Sequence, residues 1–308
     1  MKERWPNFFI VGAPRSGTTS LYEYLRRVPG IYMSPVKEPH YFAPGLRHRY
    51  LGKPVLDFAI YSRVRNQADY LKLFRSVKNE IAVGEATNSY LSDPGALGRI
   101  KEAVPGARII MILRDPVERA HSHYLTNWNA GWQRTPFEEV AGTEFYLEPG
   151  FYANQVQRSL DIFGSDHVKI LIFEEFIQNP RKAVSEVLKF LGVSAEPPAI
   201  VGEAFNSFTI PRWPLIGPIL RSRPVRIAMR VLIPSRTRRL IRNQILGRKA
   251  SEPPMPEKAR RVLEELFRND VLRLEQILGR PLPWFRARDQ LAQDQDKRTT
   301  GGDSNARR

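Results

Sequence analysis

Four stretches of the chain are apolar at successive rather than alternate positions: FFIV (8–11), IAV (81–83), RIIMIL (108–113) and VKILIF (168–173). Runs of this kind suit the strands of a parallel sheet covered on both faces. Between them the apolar spacing lengthens to three and four. Leu21, Leu25 and Val28 recur with a helical period until Pro29-Gly30 stops the helix. A second helix opens at Asp115-Pro116, with aspartate as N-cap and proline at the first helical position. PRKAVSEVLKFLGV (180–193) and EKARRVLEELFRNDVLRLEQILG (257–279) carry two more. Strand and helix alternate, which predicts an α/β chain. Its open parallel sheet is flanked by helices on both faces, and ligands bind outside the carboxyl ends of the strands.

After residue 205 the texture changes. Residues 221–249 hold ten Arg or Lys and no Asp or Glu, interleaved with Val225, Ile227, Met229, Val231, Leu232, Leu240, Ile241 and Ile245. We read 1–287 as a single domain with a basic helical segment at about 206–250, and 288–308 as a disordered polar tail. The net charge of the 308 residues is +16, which favours polyanions: nucleic acid, anionic lipid, or phosphate- and sulfate-bearing ligands. No nucleic-acid motif accompanies the charge, so no nucleic-acid partner is expected. The 221–249 segment instead suits an anionic membrane surface or a solvated face. The absence of cysteine excludes disulfides and thiolate metal sites. The first apolar run is short and passes straight into a glycine loop, unlike a secretory signal, and no stretch is long enough to span a bilayer. These features lead us to expect a cytoplasmic protein, peripheral at the membrane at most.

The glycine loop is the first candidate for chemistry. FFIVGAPRSGTTSL (8–21) has Gly12 and Gly17 with four residues between them, followed by Thr18 and Thr19. The nucleotide-triphosphatase loop has lysine where Thr18 stands. The glycines allow a tight turn and leave room for an oxyanion. Ser16, Gly17, Thr18, Thr19 and Ser20 offer backbone N–H groups and hydroxyls at a helix N-terminus. Arg15 adds a fixed charge with a bidentate fork. The missing lysine would have reached β- and γ-phosphates, so the loop suits a ligand with one 5′-phosphate. The simpler reading is a plain glycine turn of the P-loop-type fold. The second candidate is MILRDPVERAHSHYL (111–125), which puts Arg114 at the carboxyl end of a strand and Ser122 on the next helix. Arg114 can face the crevice or pair with Asp115 or Glu118. One or both of His121 and His123 read as helix-surface residues packed beside Ser122.

With both stretches on the page, the chain resembles the sulfotransferases that use 3′-phosphoadenosine 5′-phosphosulfate (PAPS), in particular the heparan and carbohydrate type. PRSGTTSL resembles their 5′-phosphosulfate loop, and RDPVERAHSHY their 3′-phosphate motif, in which the equivalents of Arg114 and Ser122 hold the ribose 3′-phosphate. The resemblance extends through SPVKEPHYF (34–42), VGEATNSYL (83–91), 170–193 and RLEQILGRPLPWF (273–285). It implies PAPS as donor, no metal, and transfer of a sulfuryl group to a hydroxyl or amine of a glycan or glycolipid. It further implies Glu38 as the base, His40 close by, Lys37 neutralising sulfonate charge, and Arg248 and Lys249 in a loop that closes over the donor. The bland alternative for Glu38 and Lys37 is a surface ion pair. The chain departs from the heparan type at Arg15 and Ala86, where lysines are usual, in the glycine spacing around Arg248, and in lacking a late cysteine pair. The rival functions are a P-loop nucleotide kinase and a non-catalytic binder of membranes or polyanions.

Overall fold

The computed structural model describes residues 4–44, 64, 66–130, 132–203, 209–211, 247–249 and 253–285. Its centre is a sheet of five strands: β1 (Phe8–Gly12), β2 (Ile31–Met33), β3 (Ala82–Ala86), β4 (Arg108–Leu113) and β5 (Val168–Ile172). Their order is β2-β3-β1-β4-β5, with every pairing parallel. The expected α/β architecture, a P-loop-type open parallel sheet, is what the chain forms.

The successive apolar residues of each strand divide between two cores. Phe9 and Val11 of β1, with Ile109, Met111 and Leu113 of β4, face one core. Phe8 and Ile10, with Ile110 and Ile112, face the other. Side chains alternate across a strand, so a strand without polar positions needs cover on both sides. The cover on the second face is α1 (Thr18–Leu25) and α9 (Pro180–Leu191), which bury Leu21, Leu25, Val184, Val187, Leu188 and Leu191. Each such side chain contributes about 1.5–3 kcal/mol by leaving water. The first face is covered by α3 (Ala96–Ala103), α4 (Pro116–Ala130), α7 (Tyr152–Phe163) and α10 (Glu257–Leu278). Helix α10 presents Leu263, Phe267, Val271 and Leu274 at helical spacing. Its Asp270 accepts from the backbone N–H of Tyr152 at 2.7 Å and so caps α7.

The shorter helices are α2 (Gln67–Leu71), α5 (Phe137–Val140), α6 (Glu144–Leu147) and α8 (Phe173–Gln178). Two further strands, β6 (Thr209–Pro211) and β7 (Gly247–Lys249), pair antiparallel. Both strands fall near the ends of the 206–250 segment. At Thr209-Ile210-Pro211 a β-branched pair followed by proline favours extended backbone. The rest of that segment, including residues 221–246, lies outside the described residues, as does the 288–308 tail. Among the described residues no helix is long and apolar enough to cross a membrane.

Candidate active site

Strand β1 delivers the glycine loop to the carboxyl edge of the sheet. Leu91 lies so close to Gly12 that a Cβ there would stand 2.7 Å from the Leu91 Cβ, so only glycine fits without movement. Gly17 is the N-cap of α1 with φ +85°, in the left-handed region that glycine adopts freely. As a cap it offers no side-chain acceptor, and the first turn of α1 has no acidic residue. The N–H groups of that turn have no intrahelical partner and sit at the positive end of the helix dipole. Ser16 is fully buried, its hydroxyl near that of Tyr152. Ser20 differs from its neighbours: its hydroxyl bonds that of Tyr24, which itself donates to the Glu203 carbonyl at 2.6 Å.

The two sequence motifs meet. Arg15 Nε donates to Ser122 Oγ on α4 at 3.2 Å. Arg114 Nη1 donates to the Arg15 carbonyl at 3.2 Å, and its guanidinium lies 4.9 Å from the centre of the Phe173 ring. Asp115 caps α4 by accepting from Val117 N–H at 2.8 Å, and Glu118 pairs with Arg260 at 2.7 Å. Burial raises the Asp115 carboxyl to about 7, with Glu118 and Glu174 adding to the rise and its two backbone hydrogen bonds opposing it. Glu174 links this corner to the segment that follows α10. It accepts from Asp115 N–H at 3.0 Å and from the Trp284 indole at 2.9 Å.

Glu38 arrives from the other side. After β2 the chain keeps running beside β3, with Ser34 N–H bonded to the Gly84 carbonyl and Glu38 N–H to the Ala86 carbonyl, both at 2.8 Å. That placement brings the carboxylate to the same edge of the sheet as Arg15. Lys37 Nζ lies 2.6 Å from Glu38 Oε1, so the ion pair expected of a plain surface pair does form. It is not a surface pair, however. Asn88 Nδ2 donates to the same oxygen at 2.9 Å, and His40 Nε2 lies 3.9 Å from Oε2. Burial would raise the Glu38 pKa, but the side chain remains 33% exposed, and Lys37, His40 and Arg15 hold it below the usual carboxylate range. Glu38 is therefore ionised at neutral pH and able to accept a proton.

Arg15, Glu38 and His40 share a further property. Their φ angles are 68°, 60° and 54°, left-handed for residues other than glycine. Such conformations cost of order 1–3 kcal/mol each and gather where the surrounding structure enforces a functional geometry. Three of the four cases among the described residues fall on site positions expected from the sequence; the fourth is Phe285.

One expectation is corrected. His121 and His123 are each only 4% exposed and do not lie on the helix surface. The 137–147 segment folds over α4, setting the Phe137 ring 5.1 Å from His121 and the Phe145 ring 4.9 Å from His123. Burial, with Arg119 and Arg15 nearby, lowers the His123 pKa well below its ordinary value, so it is a poor proton acceptor. Arg248 and Lys249 stand in β7, and their side chains fall outside what the structure describes. Sequence reading gave no role to Asn88 or Ser89, although both lie in the stretch VGEATNSYL. The available signal was a run of short polar residues directly after a buried strand.

Fold and site together define an α/β protein of the P-loop type. Its lysine-free anion loop is joined to a second cationic contact and faces a carboxylate. The chain belongs to the sulfotransferase family, whose model matches residues 6–197, a span that holds Arg15, Glu38, Arg114 and Ser122. It is similar to a crystallised sulfotransferase from Alicyclobacillus acidocaldarius: 31% identity, TM-score 0.68, covering 91% of this chain and 98% of that one. It is 27% identical to carbohydrate sulfotransferase 15 of Mus musculus over 70% of this chain and 51% of that protein. It is also 27% identical to the mouse bifunctional heparan sulfate N-deacetylase/N-sulfotransferase 4, over 91% of this chain and 31% of that protein. The chain thus spans about half, or less, of the length of these mouse relatives.

Proposed function

We propose that the protein transfers the sulfuryl group of PAPS to a hydroxyl or amine of a glycan or glycolipid. The observation that carries this reading is the Arg15–Ser122 contact at 3.2 Å, which joins the 5′-side loop and the 3′-side motif, with Glu38 close enough to feel the Arg15 charge. The donor set fits such a ligand. Two guanidinium groups, the hydroxyls of Ser16, Thr18, Thr19 and Ser122, and the N–H groups of a helix N-terminus all favour sulfate and phosphate oxygens. No side chain reaches out as the triphosphatase lysine would, and PAPS has no β- or γ-phosphate to be reached.

In this reading the acceptor oxygen or nitrogen forms a bond to sulfur as the bond from sulfur to the 5′-phosphate oxygen breaks. The acceptor proton passes to Glu38. Adenosine 3′,5′-bisphosphate leaves, its new charge met by Arg15 and the loop N–H groups. Arg114 and Ser122 hold the 3′-phosphate. The glycan class of acceptor is supported by the names of the relatives, a carbohydrate and a heparan sulfate sulfotransferase. The test is transfer of labelled sulfate from PAPS into a de-sulfated heparan polymer and into the glycolipid fraction of a lysate. Label should enter one of them with wild-type protein and stay in the donor with Glu38→Gln. Transfer by Glu38→Gln at the wild-type rate would overturn the assignment of the base.

A further inference from the structure

The polar run that follows β3 lies against the segment that bears Glu38. Ala86 offers its carbonyl to Glu38 N–H at 2.8 Å. Asn88 Nδ2 reaches Glu38 Oε1 at 2.9 Å. Ser89 Oγ lies 3.0 Å from His40 Nδ1, and the Tyr90 hydroxyl accepts from Phe42 N–H at 3.2 Å. Residues 86–90 thus grip 38–42 at every second position, through Glu38, His40 and Phe42. The grip is itself anchored, since Thr87 N–H bonds the Ile10 carbonyl and Leu91 N–H the Val11 carbonyl of β1. One bracket therefore sets the distance between the glycine loop and the carboxylate.

The bracket treats the two oxygens of Glu38 unequally. Oε1 takes both the Lys37 ammonium and the Asn88 amide. Among the described residues Oε2 meets only His40, at 3.9 Å, beyond hydrogen-bond reach. We propose that Asn88 is a positioning residue for the base: by occupying Oε1 together with Lys37, it turns Oε2 toward the acceptor as the atom that takes the proton. A carboxylate on a left-handed residue has no helix or strand to fix its direction, so the direction must come from side-chain partners. Asn88 is the uncharged one. It also lowers the affinity of Glu38 for protons without adding a cation that would compete for the donor's sulfonate. The charged groups facing Glu38 are Lys37 and His40 from its own segment and Arg15 from the glycine loop. All three stay in place when Asn88 is changed.

The assignment rests on Glu38 being the base, and the test keeps the two claims apart. Protein labelled with carboxyl-13C glutamate is titrated by NMR, with the Glu38 signal identified by its loss in Glu38→Gln. Adenosine 3′,5′-bisphosphate binding is measured alongside. Losing a hydrogen bond to the ionised form raises the carboxyl pKa, and a second carboxylate raises it further. The Glu38 midpoint should rise by about half a unit in Asn88→Ala and by about a unit or more in Asn88→Asp. The acid limb of kcat with labelled PAPS and de-sulfated heparan should move in the same order. Turnover should fall about tenfold in Asn88→Ala, with bisphosphate affinity and melting temperature close to wild type. A wild-type protein that binds no bisphosphate sinks the sulfuryl-transfer reading. An unmoved Glu38 midpoint, in variants that still bind bisphosphate, sinks the role of Asn88.

Discussion

At the scale of single residues, two carboxylates on either side of Ala86 carry opposite shifts, and the causes differ. Glu38 sits among cations and is held ionised. Glu85 is fully buried beneath the same segment. Burial raises it to about 7, although the nearby Tyr90 and Tyr70 hydroxyls and the Thr87 hydroxyl, which donates to Oε2 at 3.2 Å, pull the other way. A carboxyl whose folded pKa is raised binds more protons in the folded state, so stability falls as pH climbs from the ordinary carboxyl range to about 7 and is lowest above it. Glu85→Gln removes the charge and should raise the melting temperature at pH 8. The gain should reach about 3 kcal/mol at most and shrink toward zero at pH 4. Thermal melts across that range check it, and a gain that is the same at pH 4 and pH 8 would contradict the burial account. For Glu38 the expectation is catalytic. Glu38→Gln should leave bisphosphate affinity unchanged within about twofold and reduce transfer by about a hundredfold or more. His123, neutral and enclosed by Phe145 and Tyr146, should not replace it.

At the scale of elements, the site is a matter of which strand ends lie side by side. Strands β1, β4 and β5 and the start of β3 are legible in the sequence because each is an apolar run. Helices α9 and α10 are legible because periodicity and a glycine in left-handed conformation (Gly192 and Gly279) agree at their ends, with Asn179 also capping the start of α9. Strand β2 is not legible. It is three residues long and exists because β3, fifty residues further on, offers it an edge. Helix α7 is missed for a similar reason, since its cap, Asp270, comes from α10. The same division holds within the site. Arg15, Arg114 and Ser122 sit in motifs with local meaning. Asn88 and Ser89 acquire theirs only when β2 and β3 pair and carry 38–42 past them. Gly17 offers a test at this scale. Alanine there must adopt φ near +85° with its Cβ 3.2 Å from the Phe173 ring. Gly17→Ala should cost about 1–3 kcal/mol of stability and weaken bisphosphate binding by at least about tenfold. Chemical denaturation and calorimetry measure the two, and an unperturbed variant would mean the loop does not need its left-handed turn.

At the scale of the whole molecule, the net charge of +16 and the edge-of-sheet site point the same way. A basic protein gathers anionic donors and acceptors by long-range attraction, which salt screens within about 10 Å at 0.1 M. The KM for a polyanionic glycan should therefore rise several-fold between about 50 and 300 mM salt, while that for an uncharged oligosaccharide should barely move. Equal salt dependence for both would remove charge from the account of acceptor choice. The central claim concerns the donor: the loop around Arg15 and the motif from Arg114 to Ser122 form one site for a nucleotide phosphorylated at both its 3′ and 5′ positions. Calorimetry with adenosine 3′,5′-bisphosphate, AMP and ATP, in EDTA, tests it most directly. Wild type should bind the bisphosphate at least about a hundredfold more tightly than AMP or ATP, and Arg114→Ala should erase most of that preference. Equal affinity for the bisphosphate and AMP, or tight binding of ATP, would contradict it.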